Sequence, residues 1–356
     1  MSVLYKNVST KKYNVLDLFC GCGGLSLGFE NAGYNISLGI DMWSDALQTY
    51  EKNHSNSKTV CVNLSDILPK EIKKEYLDTE VDVIIGGPPC QGFSISGKRD
   101  VNDPRNKLYQ SFVTFVEYFK PSVFVMENVP NLVAMNEGRV KDEIIKEFEN
   151  LGYSVVYKIL LASDFGVPQN RKRVFFVGLL NSVKSFEFPV GKFIDSKVTS
   201  MEAISDLPEN ELSNGTAYEH QAKSEYQVKI RHRSKGIYNH QTTKHTDRTK
   251  ETIALVPDGG NYKSLPKELQ NIRRVNIAWT RLNSAKPSFT IDTGHRHHFH
   301  YEFNRIPTVR EAARIQSFPD TFIFHGSKTA QEKQVGNAVP PFLAEELANK
   351  LLNYLG

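Results

Sequence analysis

Apolar and polar residues alternate along the first half of the chain with two different periods. Short apolar runs recur at "YNVLDLFC" (13–20), "NISLGID" (35–41), "VDVIIGG" (81–87), "PSVFVMEN" (121–128), "YSVVYKILLA" (153–162) and "RVFFVGLL" (173–180). Their length, and the β-branched and aromatic content of most, predict strands. Helical spacing falls between several of them, in "GLSLGFENAGY" (24–34), "SDALQTYEKN" (44–53) and "RVKDEIIKEFENLGY" (139–153). Ser44 is the expected N-cap of the second of these. Strands alternating with helices predict an α/β fold on a doubly wound, mostly parallel sheet. The pattern breaks after about residue 185. From 185 to 304 the chain is polar and irregular, which predicts a second, smaller domain. Helical periodicity returns in "TVREAARIQSFPD" (308–320) and in the final "PPFLAEELANKLLNYLG" (340–356).

A length of 356 residues is consistent with two domains. The formal net charge of +4 permits a nucleic-acid partner without requiring one. The charge is uneven, however: 223–250 holds eight Lys or Arg against Glu225 and Asp247, and eight of the ten histidines lie in 220–300. All the cysteines (Cys20, Cys22, Cys61 and Cys90) fall in the first quarter, too sparse for a disulfide framework. The first residues, "MSVLYKNVSTKKYNV", carry no apolar signal-peptide core, and no apolar run is long enough to span a bilayer. A reduced, cytoplasmic protein is expected.

In a doubly wound sheet, ligands bind beyond the carboxyl ends of the strands. The first such end reads "DLFCGCGGLSLGF", where Gly21, Gly23 and Gly24 allow a tight turn into a helix. Asp41 ends the second strand, placed to bond both hydroxyls of a ribose, and Asp66 would reach an adenine amino group. G-C-G-G is not the dinucleotide fingerprint G-x-G-x-x-G, and the "CGC" pair lacks zinc spacing and further ligands, so no metal is expected. Cys90 follows two prolines at the next strand end. It is a small core residue, a metal ligand or a nucleophile; a free thiol near pKa 8.5 would need help to ionise, and Lys98, Arg99 and Arg105 are the nearby cations. Glu127 ends the "VMEN" run, where a partly buried carboxyl can donate a proton. Arg171 and Arg173 share one side by two-residue alternation.

The blocks "DLFCGCGGLSLGF", "GGPPCQGFS", "MENV", "QNRKR", "TVREAARIQSFPD" and "QVGNAVPP" occur in the order found in cytosine-5 DNA methyltransferases, and the chain resembles that family from Asp17 to Pro341. The resemblance implies S-adenosylmethionine as methyl donor. It implies Cys90 as the thiolate that adds to cytosine C6, Glu127 bonded to N3 and the exocyclic amine, Arg173 on O2, and Arg171 supporting the same site. The cofactor-contacting positions are then Asp17, Phe19, Gly21, Gly23, Asp41, Asp66, Ile67, Pro89, Leu108 and Asn337. Met42 belongs with them, standing where many members carry an aromatic residue against the adenine.

Chemistry on both faces of the ring requires a base flipped out of the duplex. The segment from Gln91 through Ser94, Ser96, Lys98, Arg99 and Arg105 would close over double-stranded DNA. The basic region 185–304, including Arg231, Arg233 and Arg296, would read the target sequence. The resemblance also implies a catalytic domain, 1–184, completed by 329–356, around an inserted recognition domain, 185–328. A bacterial, cytoplasmic, monomeric enzyme paired with a restriction endonuclease fits this pattern. Two rivals share the sequence: a tRNA cytosine-5 methyltransferase on the same scaffold, and a DNA-binding regulator without activity.

Overall fold

Strands that are apolar on both faces need cover on both sides, and the fold provides it. The computed structural model describes residues 12–89, 104–270, 279–294 and 298–355, with side chains from Leu108 onward in the segment that begins at 104. Strands β1 (Asn14–Leu18), β2 (Asn35–Asp41), β3 (Lys58–Cys61), β4 (Val83–Gly86), β5 (Val123–Asn128), β6 (Tyr153–Leu161) and β7 (Lys172–Leu180) form one seven-stranded sheet, ordered β3-β2-β1-β4-β5-β7-β6. The pairs from β3 across to β5 are parallel. Strand β7 runs antiparallel to both β5 and β6, so the expected mostly parallel sheet carries one reversed strand. Strand β3 was not among the apolar runs. It is a four-residue edge strand in which Val60 alone is buried, too little for a hydrophobic signal.

Alternate residues of each central strand feed opposite cores. Val83, Ile85, Val123, Val125, Phe175 and Val177 face one layer, formed by α1 (Gly24–Asn31), α2 (Ser44–Asn53) and α12 (Pro341–Leu351). Ile84, Phe124, Met126, Val174 and Phe176 face the other, formed by α3 (Pro69–Tyr76), α4 (Pro104–Phe119) and α5 (Arg139–Asn150). Ser44 does not cap α2. Trp43 holds the cap position without a side-chain capping bond, and Asp41 Oδ1 accepts its backbone N–H at 2.8 Å.

Short helices dominate the rest: α6 (Ser200–Ile204), α7 (Glu225–Arg231), α8 (Asp247–Ala254), α9 (Lys267–Gln270), α10 (Val309–Ile315) and α11 (Lys328–Asn337). A two-residue pair, β8 (Thr280–Arg281) with β9 (His298–Phe299), is parallel. A third apolar cluster joins Ile204, Ile230, Leu282, Ile315 and Phe318 to Cys22 and Val335. Salt links reinforce it. The buried guanidinium of Arg314 bonds Asp320 at 2.9 and 2.7 Å and also reaches Asp206, while Glu311 accepts two bonds from Arg305 at 2.7 and 2.8 Å. Among the described residues, no helix is long and apolar enough to cross a membrane.

The last helix closes the first layer. Leu343, Leu347 and Leu351 are fully buried there, each contributing roughly 1.5–3 kcal/mol. The Tyr34 and Tyr13 hydroxyls donate to the carbonyls of Ala348 and Leu355, both at 3.0 Å. Helices α1 and α12 meet at Gly28, where an added Cβ would stand 2.3 Å from Ala344 Cβ and 2.6 Å from the Glu345 nitrogen. Gly28→Ala would gain about 1 kcal/mol of helix propensity, but a methyl group forced against another helix's backbone costs roughly 1–3 kcal/mol. We expect the clash to win and Tm to fall by several degrees, measured by calorimetry.

Candidate functional site

The strand order reverses at β1, which sends β2 and β3 to one side and β4 and β5 to the other. That switch point is where an open α/β sheet leaves a crevice. A cavity of about 670 Å³ occupies it, within the range that encloses a small ligand. Its walls come from the ends of β1, β2, β4 and β5 and from α11 with the turn after it.

The expected cofactor positions divide. Asp17, Phe19, Gly21, Asp41, Met42, Pro89, Leu108 and Asn337 all line the cavity, whereas Gly23, Asp66 and Ile67 do not. Gly23 serves the turn instead. It stands at φ +92° as the N-cap of α1, and an added Cβ would lie 2.1 Å from His54 Nε2. Asp66 is exposed in a turn five residues beyond the end of β3 and accepts from the Ser65 hydroxyl at 2.9 Å. Ile67 packs on the sheet face that carries α3 to α5. Cys61 is exposed at the sheet edge, while Cys20 and Cys22 are buried at the first turn. Residues that sequence reasoning missed also line the wall, notably Trp43, Asn128 and Lys333.

Asp17 is the most unusual of these groups. It is 1% exposed; Oδ2 accepts from Ser26 at 2.6 Å, and among the described residues Oδ1 has no partner. Burial pushes its pKa up to about 8, opposed by the Ser26 bond and aided by the charge of Asp41. Asp41 is also raised by burial, against the backbone N–H groups of Trp43, Gly21 and Met42 and the charge of Lys333. Its Oδ2 accepts from Gly21 at 2.8 Å, which pins β2 to the glycine turn. An orphaned acid, a ribose-competent acid and an aromatic wall fit an adenosyl ligand with a cationic amino group.

Beside this pocket, Glu127 and Arg173 form an ion pair at 2.9 Å, both side chains mostly buried and both facing the same cavity. Burial raises the Glu127 pKa, against the attraction of Arg173 and Arg171. Asn128 donates to the Pro88 carbonyl at 2.8 Å and so ties the end of β5 to the segment that carries Pro88 and Pro89. Cys90 itself lies outside the described residues, as do Gln91, Ser94, Ser96, Lys98, Arg99 and Arg296; Arg105 lies in α4, without a described side chain.

Arg171 does not line the cavity with Arg173. It precedes β7 and is buried, donating to the carbonyls of Ile291 at 3.2 Å and Gly336 at 2.7 Å. Burial, then the charge of Arg173, lowers its pKa to about 9. Arg231 is likewise committed within the fold: it bonds Asp206 at 3.1 Å and the His220 carbonyl at 2.9 Å, and stacks 3.7 Å from the Tyr218 ring centroid. Arg233 is exposed, at φ +63°. Among the described residues, no group of three or more His, Cys, Asp or Glu is placed to hold a metal ion.

The C-5 cytosine-specific DNA methylase family profile matches residues 13–353. Type II methyltransferase M.DdeI of Desulfomicrobium norvegicum is 42% identical, over 96% of this chain and 89% of its own. Type II methyltransferase M1.HphI of Haemophilus parahaemolyticus is 37% identical, over 95% and 86%. A crystal structure of a prophage-encoded E. coli protein, assigned as a DNA modification methyltransferase, superposes with a TM-score of 0.79 at 29% identity, over 97% of this chain and 99% of that one.

Asp17 ionises near the ordinary carboxyl value of 3.8 when unfolded and at about 8 when folded. Between those values the folded state binds more protons, so its contribution to stability falls as pH rises through the window. Asp17→Asn cannot titrate. Urea unfolding should therefore show wild type losing stability relative to this variant between about pH 5 and about pH 8.

Proposed function

The chain belongs to the C-5 cytosine-specific DNA methylases, and from that premise we propose that it methylates C5 of a flipped cytosine in a specific duplex sequence through a covalent bond to Cys90. The observation that carries this reading is the convergence of the Glu127–Arg173 pair and the Pro88–Pro89 turn on the cavity that Asp41 and Asn337 also line. S-adenosylmethionine, the methyl donor of this family, supplies an electrophilic methyl group on a sulfonium. Asp41 would hold its ribose, Asp17 Oδ1 would accept from its ammonium, and Asn337 and Leu108 would complete the wall.

Cytosine C5 is a poor nucleophile. The Cys90 thiolate would add to C6 and turn the ring into an enamine, so that the C5 electron pair can take up the methyl group. Glu127, its pKa raised by burial, would share a proton with N3 and balance the charge pushed into the ring. Arg173 would hold O2 and keep Glu127 oriented. After transfer, loss of the C5 proton returns the ring electrons and expels Cys90 as thiolate. Arg171 acts from behind, as the tie that holds the start of β7.

Both ring faces must be reached, so the base would leave the stack, with Gln91, Ser94, Ser96, Lys98, Arg99 and Arg105 closing on the DNA. Exposed basic residues of 185–304, Arg233 and Arg296 among them, would contact it further. Arg231 would shape that surface from beneath. The division into 1–184 with 329–356, around 185–328, follows from the same reading, as do a monomeric state, a cytoplasmic setting and pairing with a restriction endonuclease.

DNA containing 5-fluorocytosine in the target site tests the mechanism, because fluorine at C5 blocks the final elimination. A covalent adduct should form that requires both Cys90 and the methyl donor, and Cys90→Ser should abolish it. Glu127→Gln should lower kcat by about 10²–10⁴-fold. No adduct on any cognate duplex would exclude the mechanism, and methyl transfer to tRNA in place of duplex DNA would move the enzyme to the RNA-directed class.

A further inference from the structure

Helix α11 is buried on most of its surface, yet Lys333 and Asn337, one turn apart, are exposed and both line the cavity. The Lys333 ammonium lies 4.7 Å from the centroid of the Trp43 indole. Trp43 follows the end of β2 and lines the same wall, whereas Met42, beside it, is 64% exposed. The aromatic surface missing at position 42 is thus present one residue later, with a cation over it.

We propose that Lys333 is a positioning residue for the adenosine end of the methyl donor, holding the Trp43 indole as one wall of the pocket and the Asp41 carboxylate in its charged, ribose-bonding form. Two observations carry this. The first is the stacking, since a cation over a ring face fixes the ring's orientation. The second is charge. Asp41 is mostly buried, and Asp17, Cys20 and Cys22 share its surroundings. Burial opposes its ionisation; the backbone N–H groups of Trp43, Gly21 and Met42 favour it, and Lys333 is the cation that adds to them. A ribose diol donates hydrogen bonds to a carboxylate better than to a carboxyl group. The sulfonium and amino-acid end of the donor falls to Asp17, on β1.

This inference rests on the cavity being the cofactor pocket, and the experiment separates the two. Calorimetric titration compares S-adenosylmethionine with adenosine, which carries the base and ribose but no amino acid. Lys333→Met should weaken both by the same factor, about three- to tenfold, and Lys333→Arg should restore both. Lys333 is exposed, so an unchanged Tm is expected and serves as the folding control. Loss of S-adenosylmethionine affinity with adenosine unchanged would overturn the inference by moving Lys333 to the donor's carboxylate. Trp43→Ala and Asp41→Ala decide the rest. If both weaken binding and Lys333→Met does not, the inference fails alone. If none of the three matters, the pocket assignment fails with it.

Discussion

The buried guanidinium of Arg171 is the constraint on which the architecture turns. A charge removed from water is tolerated only where its donors find acceptors, and here the acceptors are backbone carbonyls of Ile291 and Gly336. One side chain thereby joins the start of β7, the polar middle of the chain and the last turn of α11. A second tie runs alongside it. Gln169 bonds Gln316, whose amide donates to the Ala338 carbonyl at 2.6 Å, and Gln169 Oε1 accepts from Ile291 at 3.0 Å. Together with the bond from Gln334 Nε2 to the Asp45 carbonyl at 3.2 Å, these ties fix where Asn337 stands relative to the strand ends.

Burial acts on the acids of this chain in opposite directions, according to the company each keeps. Glu311, paired with Arg305, stays well below the usual carboxylate range, and Asp320, beside Arg314 and Arg310, is lowered too. Asp17, with a single hydroxyl for a partner, is pushed far above it. Glu127 falls between, since two arginines offset its burial only in part. The region outside the sheet spends its arginines on rigidity; the switch point keeps acids whose partners are incomplete. An incompletely satisfied acid is where a ligand gains most from supplying a donor.

Much of this was legible in the sequence, for definite reasons. Runs such as "VFVMEN" read as strands because both their faces are buried, and strand ends locate a crevice once the fold class is known. Strand β3 left only a weak signal with a misplaced end, because an edge strand of four residues buries one side chain. Positional motifs were easier to find than the partners of their side chains. Arg171 and Arg173 alternate correctly along the chain, yet one ties the fold and the other faces the cavity. Arg231 was expected among the residues that meet DNA, and its bond to Asp206, 25 residues away, left no local signal in the sequence. The closest miss was Trp43. Position 42 drew attention for lacking an aromatic side chain, and the ring stands one place later.

The packing of α12 on α1 has a consequence in time as well as in space. Residues near Gly24 and Val339 approach so closely that an added Cβ on Gly24 would lie 2.5 Å from the Val339 carbonyl oxygen, and both line the cavity. A ribosome delivers the glycine turn long before α11 and α12, so a nascent chain holds the strand ends of the cavity before the elements that wall it. Closure of the crevice therefore waits on segments about 300 residues downstream of the turn that begins it.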